Sequence, residues 1–251
     1  MLKIENLTVK VGDQVVIDSL NWSLDDGTLQ ILMGPNGSGK STLTQALAGH
    51  PQYEVTGQAW YHGIDLLALP PYERAYHGLF IAFQYPVELP GVTLMTFLKT
   101  VVNANRKARS LPLLDAMDFM RQARDTIKEV GLDESFLYRS VNQGFSGGEK
   151  KRCELLQILL LKPSFIILDE TDSGLDIDAF KLMVDLVQKL RSPERTILVI
   201  THYDQFLQAM HPDKIQIFLK GKIVSQGKEE VAQQLRLSGY ASFEYNDASC
   251  S

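Results

Sequence analysis

Cysteine is scarce: Cys153 and Cys250 are the two in 251 residues. They lie far apart and match no metal or redox spacing. That excludes a disulfide framework and leaves too few thiolates for a four-cysteine iron–sulfur site, so a reducing compartment is expected. Long hydrophobic runs are also missing. Stretches such as 158–161 and 165–168 are core-sized and fall far short of the roughly 18–20 residues that span a bilayer. The opening residues, Met1-Leu2-Lys3-Ile4-Glu5-Asn6, carry neither a basic-then-apolar leader nor an Arg-rich transit pattern. Basic residues do not dominate: 25 Lys and Arg against 30 Asp and Glu give a net charge of −5. That argues against general nucleic-acid binding through a basic face, and leaves room for a local anion site. No repeat or low-complexity tract precedes the C-terminus. These absences predict a soluble cytoplasmic protein with no nucleic-acid partner and no direct membrane insertion.

What is present is ordinary globular composition, 45% hydrophobic and 22% charged, which excludes a disordered or fibrous chain. The length suits one large domain, or a domain with an insertion, that buries about 70% of its surface. Residues 2–10 alternate like a strand, and 25–27 mark a turn. Residues 29–33 form a short apolar run ending in a glycine cluster, and 41–48 read as a helix closed by Gly49. Two more apolar runs, 165–168 and 196–200, end in polar residues and are separated by helical stretches. Buried strands alternating with helices predict a parallel sheet in an α/β domain. From 92 to 158 the spacing turns helical, with Leu94, Phe97, Leu98, Val101 and Val102 in one stretch and Phe119, Ala123, Ile127 and Val130 in another. Residues 214–219 and 222–225 flank Lys220-Gly221 as a hairpin. The predicted organisation is an α/β core over 1–84 and 159–240, an inserted helical subdomain over 85–158 and a polar tail over 241–251.

The chemistry concentrates in Gly34-Pro35-Asn36-Gly37-Ser38-Gly39-Lys40-Ser41, which matches the phosphate-loop pattern G-x-x-x-x-G-K-[ST]. Glycines let successive backbone N–H groups point at a phosphate. Lys40 reaches the β and γ phosphates, the Ser41 hydroxyl coordinates Mg²⁺, and the helix running on through Thr42 adds its positive end. The apolar run 165–168 ends in Asp169-Glu170. Asp169 sits where a carboxylate holds Mg²⁺ through water, and Glu170, one residue on, can face a water as general base.

Gln84, the run Phe145-Ser146-Gly147-Gly148-Glu149 opening a helix through Leu161, Asp169-Glu170, Ser173-Gly174-Leu175-Asp176 and Thr201-His202 stand in one order. That order resembles the ABC-type ATPases over about residues 1 to 240. Residues 84–92, 145–152 and 169–178 are similar to one branch of that family, the SufC branch, which serves the SUF iron–sulfur cluster assembly system. The resemblance implies a P-loop NTPase of the ABC ATPase type, with an N-terminal antiparallel β part and an inserted helical subdomain. It implies that Gln84 contacts Mg²⁺ or the attacking water, that Ser146, Gly147 and Gly148 face the γ-phosphate held by a second subunit, and that Glu170 is the base. It implies further that His202 touches the γ-phosphate and that Asp176 lies at the dimer seam. ATP and Mg²⁺ are the implied cofactors and an ATP-dependent homodimer the implied assembly. The implied function couples Mg-ATP binding, dimerisation and hydrolysis to conformational change in a soluble cluster-assembly scaffold with SufB- and SufD-like partners. The alternative, the ATP-hydrolysing subunit of a membrane ABC transporter, uses the same catalytic residues; 84–92 and 149–152 favour the first.

Two departures and one residue with two readings stand out. Phe145 and Glu149 replace the Leu and Gln that usually end the signature. The stretch 10–16 holds no aromatic residue for the adenine, only Val11 or Val16, which forfeits a stacking contribution of about 1–3 kcal/mol and predicts weakly base-selective binding. Lys151 reads either as a partner for Glu170 that slows resting turnover or as a solvated helix-face residue.

Overall fold

The computed structural model describes residues 1–170 and 177–244. The chain opens with β1 (Leu2–Val11), β2 (Gln14–Leu24) and β3 (Leu29–Met33), then α1 (Lys40–Ala48), β4 (Tyr53–Tyr61), β5 (Ile64–Asp65), α2 (Pro71–Tyr76) and β6 (Leu79–Ala82). The middle supplies β7 (Leu89–Thr93), α3 (Leu94–Ala108), α4 (Ala116–Glu129), β8 (Ser140–Val141) and α5 (Gly147–Leu161). The last third adds β9 (Phe165–Asp169), α6 (Ile177–Leu190), β10 (Thr196–Thr201), α7 (Asp204–Met210), β11 (Lys214–Leu219), β12 (Lys222–Gly227), α8 (Glu229–Ser238) and α9 (Ala241–Glu244). The described residues divide into two compact units, one of 1–81, 164–170 and 190–244, the other of 82–163 and 177–189.

The first unit is built on two sheets. A four-stranded antiparallel sheet has the order β2-β1-β4-β5, and a six-stranded sheet the order β12-β11-β3-β10-β9-β6. Every residue of β3, β9 and β10 is buried, as their unbroken apolar runs predict for strands covered on both faces. β1 alternates imperfectly, with Leu2 and Ile4 and then Leu7 and Val9 turned inward. The slip is a bulge: the register against β2 shifts between Ile4 and Leu7, where Asn6 takes a left-handed φ of 49°. Leu2, Ile4, Leu7, Val9, Ile17 and Leu20 share one core with Leu43 and Leu47 of α1 and with Phe165, Ile167, Leu198 and Ile200 of the larger sheet. Burying each such side chain stabilises the fold by about 1.5–3 kcal/mol. Residues 241–244, read from the sequence as the start of a polar tail, form α9, and Phe243 is buried.

The second unit is mainly helical. The Thr93 hydroxyl caps α3 and the Asp115 carboxylate caps α4, each accepting a backbone N–H of the first turn. Leu94, Leu98 and Val102 on α3 and Phe119, Ala123 and Ile127 on α4 are the buried faces, and both helices pack on α5. β7 and β8 form a small antiparallel pair.

Parallel register decides where the chemistry lies. Thr201 of β10 aligns with Met33 of β3, and Ile200 aligns with Asp169 of β9. The residues that follow these strands, namely the phosphate loop, Glu170 and His202, therefore emerge together at the C-terminal edge of the sheet, where open α/β folds bind ligands.

Candidate active site

The phosphate loop turns from β3 into α1. Gly39 is the N-cap of α1 at φ 104°, a conformation that L side chains rarely adopt, and a Cβ there would press on the Phe218 ring and Val16. A Cβ on Gly34 would collide with the Phe218 carbonyl. The β11–β12 turn braces the loop from behind, the Gly221 N–H donating to the Ser38 carbonyl at 2.9 Å. Ser38 Oγ is buried and finds no hydrogen-bond partner among the described residues. A buried hydroxyl facing a glycine-rich turn suits a phosphate oxygen as its missing partner. Lys40 is buried, and its Nζ donates to the carbonyls of Gly34 at 2.9 Å and Pro35 at 3.1 Å.

The same ammonium lies 3.4 Å from Glu170 Oε1. Glu170 leaves β9 with a left-handed φ of 43°, its N–H donating to the Ile200 carbonyl at 2.9 Å. A non-glycine residue in that region carries roughly 1–2 kcal/mol of strain. The turn swings the carboxylate off the strand line to a place between Lys40 and His202, whose Nδ1 is 3.7 Å from the same oxygen. That nitrogen is buried without a hydrogen-bond partner among the described residues, and the imidazole rests on the Tyr203 ring. Asp169, the last residue of β9, is buried. Ser41 is exposed and Thr42 half-buried in the first turn of α1. Lys40, Glu170 and His202, distant in sequence, thus meet within one unit.

Gln84 and the signature residues belong to the other unit. Ser146 and Gly147 are exposed and Gly148 half-buried at the start of α5. Ser146 is the N-cap, its hydroxyl accepting from the Glu149 N–H at 3.3 Å while Glu149 Oε2 accepts from the Ser146 N–H at 2.7 Å. This capping box accounts for the first departure. Glu149 sits at the position where a carboxylate reaches back, and the Ser146 N–H holds it below the usual carboxylate range. Phe145 is buried, its ring edge-on to Phe136 at 4.9 Å, with the Arg139 guanidinium 4.5 Å over both rings.

The reading of Lys151 as a solvated helix-face residue is overturned. It is buried rather than solvated, and its Nζ lies 3.0 Å from Glu154 Oε2 and donates to the Phe83 carbonyl at 2.9 Å. α5 is buried or half-buried along nearly all its length, and two of its charges, Lys151 and Glu154, turn inward instead of lining a wet face. The ammonium beside Glu170 is that of Lys40. Asp176, with Ser173, Gly174 and Leu175, lies outside the described residues. Val11 is 40% exposed at the end of β1, and Val16 approaches the phosphate loop. Sequence reasoning missed Phe218 and Tyr240. Burial pushes the Tyr240 phenol up to about 12, partly offset by a contact with the Gly34 backbone. Neither residue carries a local signal, since each reaches the loop from far along the chain. Cys153 is buried, its thiol pushed up to about 12 by burial. Among the described residues no group of three His, Cys, Asp or Glu side chains could hold a metal ion, and no helix is long and apolar enough to cross a membrane.

A sequence model of the family described as "ABC transporter" matches residues 17–173. The chain is 46% identical over 241 residues to the "Probable ATP-dependent transporter SufC" of Escherichia coli, covering 96% of this chain and 97% of that one. It is 46% identical to the "Probable ATP-dependent transporter slr0075" of Synechocystis, covering 96% and 94%. It is 43% identical over 233 residues to the "Iron-sulfur cluster assembly protein SufC" of Plasmodium falciparum, covering 92% and 67%. Among solved structures, a dimeric post-hydrolysis state of the ATP-binding cassette MJ0796 bound to ADP and Pi superposes with a TM-score of 0.75 at 21% identity, covering 91% of this chain and 98% of that one. At that identity it speaks for the fold alone.

Proposed function

The chain belongs to the ABC transporter family of ATP-hydrolysing cassettes, and from that premise we propose that it binds Mg-ATP between two copies of itself and uses hydrolysis to change the shape of a soluble iron–sulfur cluster assembly scaffold. The observation that carries the ATPase reading is the meeting of Lys40, Glu170 and His202 at the mouth of the phosphate loop. The scaffold reading rests on relatives whose names place them in cluster assembly. SufB- and SufD-like proteins are the proposed partners and the cytoplasm the proposed place. Tyr85 and Val87, 81% and 71% exposed beside Gln84, offer a partner apolar surface.

The residues divide the work. The N–H groups of 34–41 cradle the phosphates, with the Ser38 hydroxyl donating to one oxygen. Lys40 exchanges neutral carbonyls for the β and γ phosphates, a more highly charged partner. Glu170, relieved of that ammonium, takes a proton from the attacking water. The water oxygen forms the new bond to the γ-phosphorus as the bond to the bridging oxygen breaks, and ADP leaves with the electron pair. His202 steadies the γ-phosphate. Ser41, Gln84 and, through water, Asp169 would hold Mg²⁺, which when bound neutralises charge on the phosphate oxygens. These hard oxygen donors suit that ion, which takes only one or two protein ligands when phosphates supply the rest. Ser146 and Gly148 of a second copy close the site, with Asp176 at the seam. Removing one such preorganised group costs about 10²–10³ in turnover.

A second reading is kept because several relatives are named as transporters: the chain energises a membrane permease. Affinity capture of the full chain from its native cells decides between them. Soluble partners carrying iron and sulfide support the scaffold; an integral membrane partner overturns it. Phosphate release from Mg-ATP by the same preparation, absent in Lys40→Ala, tests the chemistry.

A further inference from the structure

The loop that carries Gln84 is fastened at three points to the segment that carries the signature. Lys151 Nζ donates to the Phe83 carbonyl at 2.9 Å. Asn142 Nδ2 donates to the Val87 carbonyl at 2.8 Å. Lys150 Nζ meets Glu88 Oε1 at 2.8 Å. The first of these is the deepest. Lys151 is 5% exposed and Glu154, 3.0 Å away and one helical turn on, is 7% exposed.

A buried lysine–glutamate pair is a poor device for stability, since the desolvation of both charges rivals their attraction and an apolar pair often serves as well. Burial pushes the Glu154 carboxyl up to about 7 even with Lys151 working against it. What an apolar pair cannot do is donate to a backbone carbonyl. The carbonyl chosen is that of Phe83, which shares one rigid peptide plane with the Gln84 N–H. Fixing that oxygen fixes the plane from which the Gln84 backbone and side chain depart.

We propose that Lys151, held in place by Glu154, is a positioning residue for Gln84: it pins the Phe83–Gln84 peptide to the helix that begins at Ser146, so that Gln84 and the signature serine move as one piece. The inference rests on the reading of Gln84 as a group that meets Mg²⁺ or the attacking water. Its consequence is mechanical. When Ser146 engages a γ-phosphate, Gln84 is carried with it, and hydrolysis is timed to assembly of the site.

The test is a split between chemistry and binding. Lys151→Met/Glu154→Met removes the ammonium without stranding a buried charge. We expect it to melt at or above the wild-type temperature and to bind ATP, measured by calorimetry, within about twofold of wild type, because Lys40 and the phosphate loop are untouched. Turnover should fall by about tenfold or more, the scale of a small misplacement, with a raised Mg²⁺ requirement. Lys151→Met/Glu154→Gln serves in the same role if the first variant does not fold. A folded double variant with wild-type turnover overturns the inference, as does a loss that merely tracks weakened ATP binding. Gln84→Ala is the companion: full activity there defeats the reading of Gln84 itself, whereas an inactive Gln84→Ala beside a fully active double variant defeats only the role of Lys151.

Discussion

Arg74→Met probes what anchors the phosphate-loop helix at its far end. The Arg74 guanidinium is buried and reaches four carbonyls: Nε to Leu69 at 2.9 Å, Nη1 to Ala46 at 2.9 Å and Leu47 at 2.8 Å, and Nη2 to Leu67 at 3.3 Å. Burial lowers its pKa, yet an arginine stays charged. Ala46 and Leu47 lie in the last turn of α1, where carbonyls lack intrahelical partners and a cation is favoured. Ala46 keeps the Gly49 N–H at 3.1 Å, and the 3.3 Å bond to Leu67 is weak, so the loss falls mainly on Leu47 and Leu69. A buried carbonyl left without its donor costs about 1–3 kcal/mol. Two of them, with a helix-end contribution of about 0.5 kcal/mol, give a net destabilisation of about 3 kcal/mol after Met fills the space. In a chain of this size that lowers the melting temperature by roughly 6–12 °C. Urea unfolding and thermal melts of wild type, Arg74→Met and Arg74→Lys measure it, with Lys recovering part of the loss. A Met variant within about 0.5 kcal/mol of wild type, the range of an ordinary surface change, refutes the reasoning.

Two further predictions concern ionisation and the nucleotide base. Burial raises Glu154 from 4.5 to about 7, so the folded state holds its proton more tightly than the unfolded chain does. That contribution is fully present below about 4.5 and is lost as the pH rises through about 7. Across that window wild type should lose up to about 3 kcal/mol relative to Glu154→Gln in urea unfolding, and parallel curves would contradict the assignment. Val11→Tyr, at the exposed end of β1 where the family resemblance places the adenine, should tighten ATP binding by about fivefold or more in calorimetry, the lower end of the stacking range. Unchanged affinity would remove Val11 from the adenine's surroundings.

The α/β core was legible because its strands are unbroken apolar runs: β3, β9 and β10 stand where 29–33, 165–168 and 196–200 predict them. The phosphate loop was legible because glycine, lysine and hydroxyl spacing is itself the chemistry. The hairpin around Lys220-Gly221 was legible from its turn. What stayed hidden depends on contacts that spacing does not encode. The bulge at Asn6 shows in the sequence only as a slip in alternation. Lys151 looked like a surface charge because a helix wheel assigns charge to water, and α5 is buried or half-buried along nearly all its length. Glu170 was legible as an acid beyond a strand. Its left-handed turn toward Lys40 was not, because nothing in the residue type favours that φ. Phe218 and Tyr240 support the loop across most of the chain's length, beyond any local pattern.

The central proposal is that one copy's phosphate loop is completed by another copy's Ser146. The most direct measurement is the mass of Glu170→Gln in solution by light scattering, with and without Mg-ATP, alone and alongside its co-purified partners. Hydrolysis being blocked, ATP should double the mass, and Lys40→Ala introduced into the same chain should abolish the doubling. A Glu170→Gln variant that binds ATP and remains a single chain in every one of these conditions would contradict the account.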